Sequence, residues 1–331
     1  MVNNISSLPK FCPLCESKRI VLHRWFNLAE IRADWLRGFG FDPFLGKDLS
    51  AQLNQYRCLS CDLKFFHPAI CGDGGFYEEL SNRFDWYYEK DKWEFDIAID
   101  ILSGLDGVED VLEIGCGQGH FLRRIKTLFN AVGIELNPKA IRECEALGLQ
   151  VSGHPLETVS ETFNAIVSFE VLEHISDPRA FIENMLRLLR PNGYLLLAVP
   201  DPQGYFSEAE KILLDMPPHH VLSFSKKTFS KIAELLNLEL LEIHQEPLRF
   251  VHYKSYSSNF FRPRPIEKLS LRGQFIHKVF RKIFGFPLGL MEQRLEERLE
   301  ERLEDIILAS TYQNNKEKLL GQTHLALFKK R

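Results

Sequence analysis

The run VEDVLEIGCGQGHFLRRI, Val108 to Ile125, decides how this chain is read. Val108 to Ile114 reads as a buried strand, Gly115, Gly117 and Gly119 make a turn, and Phe121, Leu122 and Ile125 carry the apolar side of a following helix. Glycines in such a turn let a ligand lie against the backbone. Moving outward, AVGIEL is a second short strand ending in the acid Glu135, and NPKAIRECEALG opens a second helix. A carboxylate at the end of the second strand is placed to accept hydrogen bonds from both ribose hydroxyls of a nucleoside. The first two β-α units therefore describe a nucleoside site.

A dinucleotide fingerprint needs G-x-G-x-x-G, but here the run is Gly115-Cys116-Gly117-Gln118-Gly119, with His120 where the third glycine belongs. This E-x-G-x-G-x-G spacing resembles the first motif of the class I S-adenosylmethionine-dependent methyltransferases. Downstream, a strand from Phe163 to Phe169, the loop EVLEHISDP, a helix, the LRPNG turn and a strand from Tyr194 to Val199 are similar to later motifs of the same family. The resemblance covers roughly Val108 to Pro247. It implies a Rossmann-like α/β fold with a seven-stranded sheet and S-adenosylmethionine as cofactor. The implied donor-binding residues are Glu113, Gly115, Gly117, Gly119, Glu135, Phe169 and Glu170, with His174 near the reacting end. Leu156 and Glu157 are weak candidates for the adenine contact.

In LDMPPHHVLSF, Pro217 and Pro218 restrict the loop that carries His219 and His220. The loop follows the fifth strand, on the side of an open α/β sheet where substrates meet cofactors. Methyl transfer requires an aligned nucleophile, often relieved of a proton, and a histidine serves that purpose near neutral pH. His219, His220 and His174 are the candidate catalytic residues; the alternative is that these imidazoles only brace their own loops. A helix from Lys226 to Asn237 and a sixth strand from Leu238 to Gln245 follow. The family's seventh strand, antiparallel between the fifth and sixth, is expected in THLALFKK near the C-terminus, which makes residues 248–321 an insertion.

At the N-terminus Cys12 and Cys15, with Cys58 and Cys61, form two C-x-x-C pairs among seven cysteines. Two such knuckles complete the four-thiolate shell of a structural zinc, and a helix is expected between them around LAEIRADWLRGFG. Disulfides or unrelated free thiols are the alternative, and Cys71 is a possible replacement ligand. The organisation expected is a zinc-ribbon-like domain over 1–75, a methyltransferase domain over 76–247, a helical insertion over 248–321 and the last strand over 322–331.

With 331 residues, 45% of them hydrophobic, and no run near the roughly 18 residues of a membrane span, the chain reads as cytoplasmic. The formal charge of −4 argues against nucleic acid as a general partner. Within the insertion, residues 249–282 hold nine Lys or Arg against the single acid Glu267, and MEQRLEERLEERLED then reads as an acidic helix. Phe275 to Phe286 has the pattern of a basic amphipathic helix, suited to an anionic membrane surface or to packing on protein. Zinc modules of this sort accompany methyltransferases of sugar and natural-product pathways. The resemblance therefore implies O- or C-methylation of a small-molecule or glycan acceptor, which a membrane contact would make lipid-linked. An RNA methyltransferase and a non-catalytic donor-binding scaffold are the alternatives.

Overall fold

The computed structural model describes residues 8–47, 49–84, 86–204, 211–250, 252–253, 309–310, 312–313 and 320–331. Chain contacts divide it into two compact units. The first comprises 1–204, 210–246 and 323–331, and the second 205–209 and 247–322. The expected amphipathic helix at 275–286 and the acidic helix after it lie outside the described residues. In the second unit, the Tyr312 hydroxyl donates to the Leu248 carbonyl at 2.7 Å. No helix among the described residues is long and apolar enough to cross a membrane.

The large sheet is built from β4 (Asp110–Ile114), β5 (Asn130–Ile134), β6 (Gln150–Ser152), β7 (Phe163–Phe169), β8 (Leu189–Pro200), β10 (Leu238–Pro247) and β11 (Leu320–Lys330). Its order is β10-β11-β8-β7-β4-β5-β6. The β4–β5, β5–β6, β4–β7 and β7–β8 pairs are parallel, whereas β11 runs antiparallel to β8. The seventh strand thus lies where the family pattern requires it. Central strands covered on both faces need apolar side chains throughout, and Ala165, Ile166 and Val167 of β7 and Leu195, Leu196 and Leu197 of β8 are all fully buried.

Helices α3 (Trp93–Gly104), α4 (His120–Ile125), α5 (Pro138–Ala146), α6 (Pro178–Leu188) and α7 (Lys226–Leu235) punctuate these strands. Their starts are legible locally. Asn137 and Asp177 each accept a backbone N–H two or three residues on and are followed by proline in the first helical turn, and Ser225 forms a capping box with Thr228. The LRPNG turn is drawn into β8 as an irregularity, with Asn192 at φ 60° and a shift in the β7–β8 register. A helix not expected from the sequence, α2 (Gly74–Arg83), begins where Asp73 accepts from the Phe76 N–H.

The N-terminal segment contributes β1 (Ile20–Asn27), α1 (Leu28–Phe39), β2 (Gln52–Cys58) and β3 (Lys64–His67). The helix α1 falls where the sequence between the cysteine pairs predicts one. The three strands pair antiparallel in order, and a fourth, β9 (Leu222–Ser223), pairs antiparallel to β3. Residue 75 is therefore not a break in packing. One buried cluster includes Cys12, Leu14, Tyr56 and Leu63 together with Leu112, Ile166, Leu197 and Phe229.

Candidate functional site

The turn after β4 is shaped for close approach. Gly115, Gly117 and Gly119 all have positive φ, at 77°, 51° and 73°. A Cβ on Gly115 would lie 2.4 Å from Val171 Cγ2, and one on Gly119 would lie 2.4 Å from Leu149 Cδ1, so only glycine fits. The Gly115 and Cys116 amides donate to the Ile134 carbonyl, which ties the turn to the end of β5. Directly after β5, Glu135 Oε2 accepts from the Gly117 N–H at 2.8 Å, while Oε1 accepts from the amides of Leu136 and Asn137. Each carboxylate oxygen carries two lone pairs, so Oε2 retains capacity for a ligand hydroxyl.

Glu113 is buried at the base of this turn, and one of its oxygens has no hydrogen-bond partner among the described residues. Burial pushes its carboxyl well above the usual range, opposed by Lys92. Phe169 presents its backbone rather than its ring to this region, since the ring packs in the core against Phe95 and Phe121, with centroids 5.2 and 4.8 Å away. Glu170 follows in the left-handed region at φ 54° and accepts from the Thr323 hydroxyl at 3.3 Å.

The three candidate histidines converge although 45 residues separate His174 from His219. The His219 and His220 rings stack at 4.3 Å, and His174 stands edge-on to them at 4.7 and 4.8 Å. Each uses Nδ1 as a donor: His174 to the His219 carbonyl at 2.6 Å, His219 to the Leu214 carbonyl at 2.8 Å, and His220 to the Asp215 carboxylate at 3.1 Å. Burial drives His174 down to about 3 and His219 well below the ordinary histidine range, each aided by His220. Both rings are therefore neutral near pH 7, with the lone pair on Nε2. His219 Nε2 accepts from the Tyr87 hydroxyl at 3.2 Å, and the Tyr77 hydroxyl lies 3.2 Å from His174 Nδ1.

Glu173 faces the same space. Its Oε1 lies 3.6 Å from His174 Nε2 and 3.7 Å from His220 Nε2, and neither of its oxygens has a hydrogen-bond partner among the described residues. Burial pushes its carboxyl up to about 7. Lys92 would be lowered by burial, but Glu94, Glu170 and Glu173 outweigh that and raise it. Tyr88 lies against the glycine turn, its ring 3.1 Å from where a Cβ on Gly117 would stand. Burial and then Glu135 push its phenol up to about 12.

Tyr77, Tyr87, Tyr88, Lys92 and Glu173 were not singled out by sequence reasoning. For Tyr87, Tyr88 and Lys92 the aromatic and charged segment WYYEKDKWE held the signal, but nothing in its spacing says that it folds over the glycine turn.

The four predicted cysteines also meet. Cys12 Sγ is 3.6 Å from Cys61 Sγ, Cys15 Sγ is 3.5 Å from Cys58 Sγ, and all four lie within 4.8 Å of one another as free thiols. A tetrahedral ion with bonds of about 2.3 Å holds its sulfurs about 3.8 Å apart, so this set fits zinc. Cys71 is not part of the cluster.

A family model described as a methyltransferase domain matches residues 92–243. The ubiquinone biosynthesis O-methyltransferase of Xanthomonas oryzae pv. oryzae (strain PXO99A) is 32% identical over 148 residues, covering 39% of this chain and 62% of that protein. The enzyme of the same name from Actinobacillus pleuropneumoniae serotype 7 is 26% identical over 180 residues, covering 48% and 75%. The chain thus spans 62% of the length of the first of these relatives. A crystal structure of a SAM dependent methyltransferase from Archaeoglobus fulgidus is similar with a TM-score of 0.47 and 17% identity, over 78% of this chain and 100% of that one.

Proposed function

We propose, on the premise of the methyltransferase-domain model that residues 92–243 match, that the protein is a class I methyltransferase and transfers a methyl group from S-adenosylmethionine to a hydroxyl of a small-molecule or glycan acceptor. The observation that carries this reading is the shared position of two devices. A glycine turn closed by the Glu135 carboxylate, after β4, and a cluster of three histidines, in the loops after β7 and β8, both follow the carboxyl ends of parallel strands. The O-methyltransferase names of the relatives support oxygen as the methylated atom.

The residues present fit the donor. Glu135 offers Oε2 to the ribose, the glycine turn admits the methionyl part against its backbone, and the unpartnered oxygen of Glu113 suits the amino end. The donor, when bound, supplies an electrophilic methyl group on a sulfonium. The chain's own groups must then align the acceptor at about 3–3.5 Å and relieve it of a proton. His219 and His220 present neutral or carboxylate-backed imidazoles for that purpose, and Tyr87 and Tyr77 fix the orientation of His219 and His174. The four cysteines hold a structural zinc, a closed site with no open position for substrate. Phe169 and Glu170 contribute the backbone and carboxylate beside the donor.

Incubation with methyl-labelled donor and fractionated extract, followed by identification of the labelled product, tests this reading. His219→Ala and His220→Ala are expected to bind donor normally in calorimetry and to lose turnover by about 100-fold or more, the usual scale of general-base removal. Full activity of both variants would reduce the loop to a structural brace, and absent donor binding by the wild type would end the methyltransferase reading.

A further inference from the structure

The three histidines are organised in a way that a lone general base does not require. Imidazoles that ligate a metal donate their other ring nitrogen to a carbonyl or carboxylate, which fixes the tautomer and aims the lone pair. All three rings do this, through the His219 and Leu214 carbonyls and the Asp215 carboxylate. One ring nitrogen from each lies within 4.8 Å of the others. The distances from Glu173 Oε1 to His174 Nε2 and His220 Nε2, 3.6 and 3.7 Å, are too long for hydrogen bonds. They are close to the separation of about 3.3 Å between two ligands on a tetrahedral ion with bonds of about 2.0–2.1 Å. Glu173 is 1% exposed and has no hydrogen-bond partner among the described residues, a costly state for a carboxylate that a cation would relieve.

We infer that His174, His219 and His220 form a second metal site, distinct from the four cysteines and with the Glu173 carboxylate beside it, which takes a divalent first-row transition ion; the ion would replace the Tyr87 hydroxyl on His219 Nε2, and the histidines would then serve as its ligands instead of as bases. Three imidazoles and one carboxylate favour zinc or a similar ion over magnesium or calcium, which seek oxygen shells. This rests on the reading of the cluster as the acceptor end of a methyltransferase and gives that end a specific device. An acceptor hydroxyl bound to such an ion would give up its proton to solvent more readily. Its oxygen lone pair then forms the O–CH3 bond as the donor's S–CH3 bond breaks, with that pair left on sulfur as a thioether.

Cobalt(II) titration of the full chain, stripped of metal and reduced, separates the two sites, because thiolate ligation gives charge-transfer absorption and nitrogen–oxygen ligation does not. The wild type is expected to take two equivalents, one with and one without thiolate charge transfer, and to hold two zinc ions in native mass spectrometry. Glu173→Gln and the double variant His219→Gln/His220→Gln, folded by circular dichroism, are expected to lose only the second equivalent. A wild type that takes a single, thiolate-bound equivalent, or variants that keep both, would overturn the site. Donor calorimetry on the same samples keeps the questions apart: donor binding with no second equivalent defeats the metal site alone, and no donor binding defeats the methyltransferase reading itself.

Discussion

Glu135 shows how much one side chain organises. Its carboxylate closes the glycine turn by accepting from Gly117 and also holds the chain leading into α5 by accepting from Leu136 and Asn137. Hydrogen bonds to a charged acceptor contribute about 1.5–3 kcal/mol each. Glu135→Ala is therefore expected to weaken donor binding by about tenfold to a hundredfold in calorimetry. Gly117→Val should do at least as much, since it places a β-branched side chain at φ 51° and against Tyr88. The glycines and Glu135 were legible because their function depends on spacing within one β-α unit. The partners of the histidines were not, because Tyr77 meets His174, Tyr87 meets His219 and Glu173 meets His220 only through tertiary packing. Phe169 was legible as a position, but its ring turns into the core because α3 and α4 supply Phe95 and Phe121 as partners.

Among elements, β11 carries the most. It lies between β8 and β10, with Leu325, Ala326, Leu327 and Phe328 all buried. Phe328→Ala is expected to cost about 3–5 kcal/mol in urea unfolding, the scale of emptying a packed aromatic site. On the same strand His324 is fully buried beside the Phe229 ring, and burial lowers it to about 4, opposed by Asp201. Folded His324 is thus neutral where the unfolded residue is protonated. The stability it contributes is complete above pH 6.5 and is lost as pH falls toward 4, up to about 3 kcal/mol. Wild type compared with His324→Leu at pH 7 and pH 4.5 checks this: the variant should lose less stability on acidification, and equal losses would contradict it. This strand was legible from the need of the fold for a seventh member, whereas β9, only two residues long, left no pattern to read.

At the scale of the molecule, the cysteine-bearing sheet and the histidine loop are one construction. β9 begins two residues after His220 and pairs with β3, the Phe66 N–H donates to the Val221 carbonyl, and the Val221 N–H donates to the Glu173 carbonyl. Asp62, next to Cys61, accepts from the Ser225 hydroxyl at 2.8 Å. Cys58→Ser, or prolonged chelation, is therefore expected to lower the melting temperature and turnover together, because metal ligation is coupled to folding of the sheet that holds the histidines. Loss of zinc with unchanged turnover would show that the two parts are independent. The paired C-x-x-C knuckles were legible as a motif, but their joining to the histidine loop was not, because it runs through backbone pairing between segments about 160 residues apart in sequence.

The position of β11 also matters while the protein is being made. Pro200 of β8 pairs with Thr323, and β10 leaves the ribosome well before its neighbour does. At typical translation rates the residues between β10 and β11 take roughly 4–15 s to synthesise. Throughout that interval the nascent sheet has an open slot with the bonding edge of β8 uncovered, a template for pairing with the wrong chain. A ribosome-bound chain stalled at residue 319 should be cut readily by protease and recovered with holdase chaperones, and one extended far enough to free β11 from the exit tunnel should resist.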